Sequence, residues 1–156
     1  MYKTDIKGNS LVDEGINEPI IHQIMQKIVK PGDVTIDLGA NYGMITLSLG
    51  KFVGPEGKVF MFEASPPIAK VAALNAYING LYQAEMHNVA LMDKNGPVHM
   101  RIDNRWSGKT MVATKETGVE VEGITLDDFL DRVSGGNPPK IDFYRLDIQG
   151  CECVAL

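Results

Sequence analysis

Residues 34–47, V-T-I-D-L-G-A-N-Y-G-M-I-T-L, bring a carboxylate, two glycines and a side-chain amide together between Asp37 and Gly43. An apolar run that ends in a glycine turn and continues at helical spacing reads as strand, turn and helix. The free amides at the helix start are what such a turn offers a ligand. Glycine spacing discriminates among ligands. A triphosphate loop needs G-x-x-x-x-G-K-[ST], and no lysine follows Gly39 or Gly43 at the required place. A dinucleotide fingerprint places glycines two and five positions after Gly39, where this chain has Asn41 and Met44. What remains is D-x-G-A-N-x-G: Gly39 allows close backbone approach, Gly43 opens the helix, and Asp37 and Asn41 lie beside the free amides. That set suits a small zwitterion carrying a carboxylate.

These residues need a scaffold, and the rest of the chain predicts one. Asn17 is the expected cap of a helix with Pro19 in its first turn, in which Ile20, Ile21, Ile24, Met25 and Ile28 recur at helical spacing up to Pro31-Gly32. After the glycine turn a helix is expected over about Gly43 to Phe52, and K-V-F-M-F-E predicts a second strand ending at Glu63. Strand, helix and strand in succession imply a parallel pair with a right-handed crossover. Ser65 is placed to cap a further helix that opens on Pro66 and Pro67 and closes at Asn79-Gly80, before a third strand over about Ala84 to Leu91. The alternating segments P-V-H-M-R-I and V-E-V-E-G-I then predict an antiparallel pair around a polar loop from Asp103 to Gly118, an insertion in the α/β pattern. Thr125 and Asp128 read as a capping box, and I-D-F-Y-R-L-D-I as a strand ending near Asp147. The sheet is expected to be covered on both faces.

Glu63 ends the second predicted strand, 24 positions after Gly39, where a carboxylate can accept from both ribose hydroxyls. Nicotinamide and adenosylmethionine enzymes share this device.

Length and charge narrow the class. A chain of 156 residues with 44% hydrophobic content buries one core, so residues 1–156 are expected to form a single domain. A net charge of -5 argues against a nucleic-acid groove, which needs clustered Lys and Arg. No apolar signal core opens the chain and no run approaches a membrane span, so a cytoplasmic protein with no membrane partner is expected. Cys151 and Cys153 are too few and too close for a disulfide framework and read as reduced thiols.

Six blocks in order, G-I-N-E-P through K-P-G-D-V-T-I-D-L-G-A-N-Y-G, V-F-M-F-E-A-S-P, L-N-A-Y-I-N-G-L, N-V-A-L-M-D-K-N-G, G-I-T-L-D-D-F-L and L-D-I-Q-G-C-E, resemble the FkbM-type methyltransferases. The resemblance implies an α/β fold with a doubly wound, mostly parallel Rossmann-like sheet of the class I methyltransferases. S-adenosyl-L-methionine (SAM) would be the cofactor, and the activity methyl transfer to a hydroxyl of a sugar or secondary metabolite. Position by position, Asp37, Gly39, Ala40, Asn41 and Gly43 would surround the methionine part of the cofactor. Glu63 would take the ribose, Asn88 the adenine amino group, and Ala64 or Ser65 would lie beside the ring. Asp147 is the first choice for a catalytic or substrate-orienting carboxylate. The last block departs from the family's K-x-D-x-E-G-x-E. Arg145 stands for lysine and stays charged, and Gln149 stands for glutamate and cannot act as a base. A metal between Asp147 and Glu152 is not expected.

The resemblance also implies further C-terminal strands after Leu156, so the chain reads as the N-terminal part of a full domain, prone to self-association through the exposed strand at 141–148. His22, His87 and His99 fall on separate elements and read as structural or surface groups, as does Trp106. Two alternatives share parts of this reading: a SAM-binding remnant without turnover, and an NAD-binding oxidoreductase, which keeps the ribose carboxylate and lacks the glycine pattern.

Overall fold

The run V-T-I-D-L sits in the middle of a parallel sheet and is buried on both faces, so that even its two polar residues, Thr35 and Asp37, are enclosed. The computed structural model describes residues 18–101, 111–113 and 118–148. In chain order the elements are α1 (Pro19–Ile28), β1 (Val34–Leu38), α2 (Met44–Val53), β2 (Lys58–Phe62), α3 (Pro66–Ile78), β3 (Ala84–His87), β4 (Ala90–Leu91), β5 (Gly96–Arg101), β6 (Met111–Val112), β7 (Val119–Ile124), α4 (Leu126–Ser134) and β8 (Phe143–Leu146). The first sheet has the order β3-β2-β1-β8, all parallel, with Leu38 opposite Phe62 and Asp37 opposite Arg145. The second has the order β4-β7-β5-β6, and β5 and β7 are the expected antiparallel pair.

Strand alternation sorts the core. On one face Val59 packs with Met25, Ile45, Leu49 and Val53 from α1 and α2, and Met61 packs with Ala72 and Ala76 of α3. On the other face Ile36, Leu38, Phe60 and Phe62 meet Phe129 of α4 and Leu91 and Ile124 of the second sheet. Both faces of the parallel sheet are covered, as expected. Asp37 alternates with Ile36 and Leu38, so it and its register partner Arg145 share the face of α1 and α2. No helix among the described residues is long and apolar enough to cross a membrane.

Four local expectations change. The third strand is two strands: the chain leaves the first sheet after His87, and Ala90–Leu91 pair with Gly123–Ile124 in the second. The break falls at Asn88, whose side-chain amide donates to the carbonyls of Glu63 and Ala64 at 2.7 and 3.0 Å. Ser65 occupies the cap position of α3 without a side-chain bond. Asn17 lies outside the described residues, and the residue at the cap of α1 is Glu18, in left-handed backbone with φ 54°. Of the five apolar residues expected on α1, Met25 is buried and Ile21 half-buried, whereas Ile20, Ile24 and Ile28 face outward because α1 packs through one side only. The Thr125 cap is present: the Asp128 amide donates to Thr125 Oγ1 at 3.1 Å, while the Thr125 amide donates to Asn95 Oδ1 at 2.9 Å, so Asn95 takes the reciprocal half of the box.

Candidate functional site

The glycine turn leaves β1 without leaving the sheet. The amides of Gly39 and Ala40 both donate to the Phe62 carbonyl, at 3.0 and 2.8 Å, which holds the turn over the end of β2. Gly39 has φ 81°, and a Cβ there would stand 2.0 Å from the Asp147 carbonyl oxygen, so only glycine admits the chain that follows β8. Gly43 has φ 82° and heads α2, whose start has no side-chain cap. The start of α2 thus has no side-chain cap of its own, and of its first amides that of Thr46 faces the Asp37 carboxylate. Asn41, like Glu18, is a non-glycine residue in left-handed backbone, and its Oδ1 accepts from the Tyr42 amide at 2.9 Å. Ala40 is buried against Met61 and Ala72, so it contributes backbone rather than side chain to the turn.

Asp37 lies beneath the turn and is fully buried. Its Oδ2 accepts from Thr46 Oγ1 at 2.6 Å, while Oδ1 has no hydrogen-bond partner and lies 3.6 Å from Arg145 Nη1. Burial pushes the Asp37 carboxyl above the usual carboxylate range, and Arg145 and Thr46 pull against that rise.

Glu63 is nearly buried, and both oxygens accept backbone amides: Oε2 from Asn41 at 3.0 Å and Oε1 from Ser65 at 2.8 Å. The carboxylate thus joins the glycine turn to the β2–α3 corner. Asn88 fixes that corner from the other side, and because its Nδ2 is spent on the Glu63 and Ala64 carbonyls, its Oδ1 is the atom it can present to a donor. Ala64 packs toward the second sheet, against Ala90, Met100 and Val121.

The β8 side of the site centres on Arg145, which was not among the expected site residues. Its guanidinium, 10% exposed, donates through Nη1 to the Gly39 carbonyl at 3.2 Å. Through Nη2 it donates to Asp147 Oδ2 at 2.6 Å and to Glu18 Oε1 and Oε2 at 3.2 and 3.4 Å. Asp147 is tied to the sheet as well, its amide donating to the Leu38 carbonyl at 3.0 Å. The structure thus brings Asp37, Gly39 and Asp147 together and adds Glu18 and Arg145. The one readable signal for the pair was the opposite charge of Asp37 and Arg145, which means little until the register of β1 and β8 is known.

The histidines lie elsewhere. His22 Nδ1 is 3.0 Å from Ser48 Oγ and its ring packs near Phe52, and His99 lies 3.8 Å from Glu120. His87 is packed among Phe60, Phe62 and Phe129, where burial pushes its pKa down. Trp106, Cys151, Glu152 and Cys153 lie outside the described residues.

A ligand combining a carboxylate, an ammonium and a ribose fits these groups. The start of α2, which lacks a side-chain cap, suits its carboxylate, Asp37 Oδ1, which accepts no hydrogen bond and faces the Arg145 guanidinium, suits a cation, and Glu63 suits vicinal hydroxyls. The Methyltransferase FkbM domain matches residues 37–156. Among solved structures, the SAM-dependent O-methyltransferase from Thermotoga maritima is 29% identical, with 51% of this chain and 31% of that chain covered and a TM-score of 0.46. A SAM dependent methyltransferase from Aquifex aeolicus is 20% identical, with 55% and 48% covered and a TM-score of 0.44. An rRNA methylase from Streptococcus thermophilus is 17% identical, with 48% and 41% covered and a TM-score of 0.41. The matched part of this chain corresponds to 31–48% of the length of these three proteins. S-adenosyl-L-methionine is the cofactor expected of the matched domain. With the match running from Asp37 through Leu156, well over half of its length, this chain belongs to the FkbM methyltransferase family.

Proposed function

We propose that residues 1–156 form one SAM-binding domain of an O-methyltransferase that acts on a hydroxyl of a sugar or secondary metabolite. The observation that carries this reading is the convergence, at the C-terminal ends of β1, β2 and β8, of the uncapped α2 amides, the buried Asp37 Oδ1, Glu63 and Asp147. SAM, when bound, supplies an electrophilic methyl on a sulfonium leaving group. The α2 amides and Asp37 hold its amino-acid end, Glu63 its ribose and Asn88, through Oδ1, its adenine amino group; Gly39, Ala40, Asn41 and Gly43 shape the turn, and Ala64 closes the adenine side.

Asp147 takes the acceptor. Its carboxylate orients the hydroxyl toward the methyl and receives its proton, work for which proximity supplies the larger part and a base roughly 100-fold. A neutral hydroxyl also suits the charge of this end of the sheet, where Glu18, Asp37 and Asp147 surround Arg145. A phosphate-rich acceptor would meet repulsion there.

Calorimetry with S-adenosylhomocysteine and with NAD tests the cofactor, the first expected to bind and the second not. Methyl release with sugar and metabolite hydroxyls, with an RNA control, tests the acceptor. Tight NAD binding, or methylation of the RNA alone, would overturn the reading.

A further inference from the structure

The two chain turns that frame the site are stitched together by one side chain. Gly39, after β1, and Asp147, after β8, touch so closely that a Cβ on the former would overlap the carbonyl oxygen of the latter at 2.0 Å. Arg145 bonds both, the Gly39 carbonyl through Nη1 at 3.2 Å and Asp147 Oδ2 through Nη2 at 2.6 Å. It reaches a third segment as well, since Nη2 also meets Glu18, which holds left-handed backbone beside that contact at φ 54°. Such a backbone is strained for a residue with a side chain, so it persists where surrounding bonds determine it. The planar fork of a guanidinium can serve these acceptors at once, whereas an ammonium presents a single point of charge.

We infer that Arg145 is a positioning residue for the cofactor's amino-acid end: by holding the Gly39 carbonyl, Asp147 and Glu18 in one arrangement it sets the glycine turn, and with it the α2 amides, against the Asp37 carboxylate. This inference rests on the cofactor reading above. It separates two halves of the pocket. The nucleoside half, built from Glu63, Asn88 and the β2–α3 corner, makes no direct bond to Arg145 and meets the glycine turn through the Asn41 amide, whereas the amino-acid half is assembled around Arg145.

The test uses two ligands that share adenosine and a thioether. S-adenosylhomocysteine carries the amino-acid end, and 5′-methylthioadenosine lacks it. Arg145→Met is expected to weaken S-adenosylhomocysteine by roughly tenfold or more while leaving methylthioadenosine within about twofold. Arg145→Lys should recover part of the loss, because it restores the charge without the fork. Unfolding in urea reports whether each variant is folded, and if the methionine variant is not, the lysine variant is judged by the same ratio of affinities. Equal weakening of both ligands, or unchanged S-adenosylhomocysteine binding, would overturn the inference. If the parent protein binds neither ligand, the cofactor reading fails instead.

Discussion

The backbone amide of Asn41 donates to the Glu63 carboxylate across 3.0 Å, joining the glycine turn after β1 to the end of β2. With the Ser65 amide on the other oxygen at 2.8 Å, the proposed ribose acceptor is also a structural clamp. Glu63→Ala should therefore do two things. It should weaken S-adenosylhomocysteine by tenfold or more, and it should destabilise the fold by about 1–3 kcal/mol, because two backbone donors lose their acceptor. Calorimetry and urea unfolding on the same variant check both. An affinity loss without a stability loss would mean that the clamp has no energetic weight.

The two glycines of the turn differ in what surrounds them. At Gly39 a Cβ would strike the Asp147 carbonyl at 2.0 Å, whereas at Gly43 the nearest atoms lie at 3.5 Å, ordinary contact. Both have φ near 80°, so both alanine variants bear left-handed strain of about 1 kcal/mol. Only Gly39→Ala must also displace the chain after β8. Its loss of stability should exceed that of Gly43→Ala by about 1–3 kcal/mol, measured by denaturant midpoints.

Asp37 links stability to pH. Its folded-state pKa is raised by burial above the ordinary 3.8, against the pull of Arg145 and Thr46, so the folded chain holds that proton more tightly than the unfolded chain. The stability gained this way is fully present below pH 3.8 and is lost as pH rises through the folded pKa. Asp37→Asn should remove this contribution, visible as a difference between the unfolding curves of variant and parent that changes across that window. The same linkage makes binding of a cation beside Asp37 release a proton. Calorimetry of SAM in buffers of different ionisation enthalpy would show it at pH values where Asp37 is partly protonated.

His87 acts with the opposite sign. Burial among Phe60, Phe62 and Phe129 lowers its pKa below 6.5, and although Nε2 lies 3.3 Å from Glu85 Oε1, the two are not aligned as a hydrogen bond. The unfolded chain takes up the proton first as pH falls, so stability is lost below pH 6.5 until the folded pKa is passed. His87→Phe keeps the aromatic contacts and should flatten that part of the profile.

Residues that act through near neighbours were legible in the sequence, and those that act across the chain were not. The D-x-G-A-N-x-G turn and the strand ending at Glu63 follow from local patterns, because glycine spacing and apolar alternation report directly on backbone shape. The burial of β1 and β2 and the β5–β7 pairing followed in the same way. Arg145 and Glu18 are 127 positions apart, and nothing in either neighbourhood announces the other. Their meeting depends on the register of β8 against β1 and on the left-handed backbone at Glu18. The split of the third strand was hidden for a related reason. V-A-L adds apolar residues to the alternating A-E-M-H, and the chain turns aside where the tertiary bonds of Asn88 to Glu63 and Ala64 fall.

That turn has a mechanical consequence. The backbone passes from one sheet to the other in two residues, Asn88 and Val89, while the Asn88 side chain grips the carbonyls at the end of β2. Val89 is buried in the core that both sheets share, so the joint has no slack on its inner side. Sliding of the second sheet is therefore transmitted to the end of β2 both through the Asn88 amide and through Ala64, which packs on Ala90, Met100 and Val121. A ligand leaning on β5 or β7 would, through that joint, move the backbone beside Glu63, where we propose the ribose is held, without touching it.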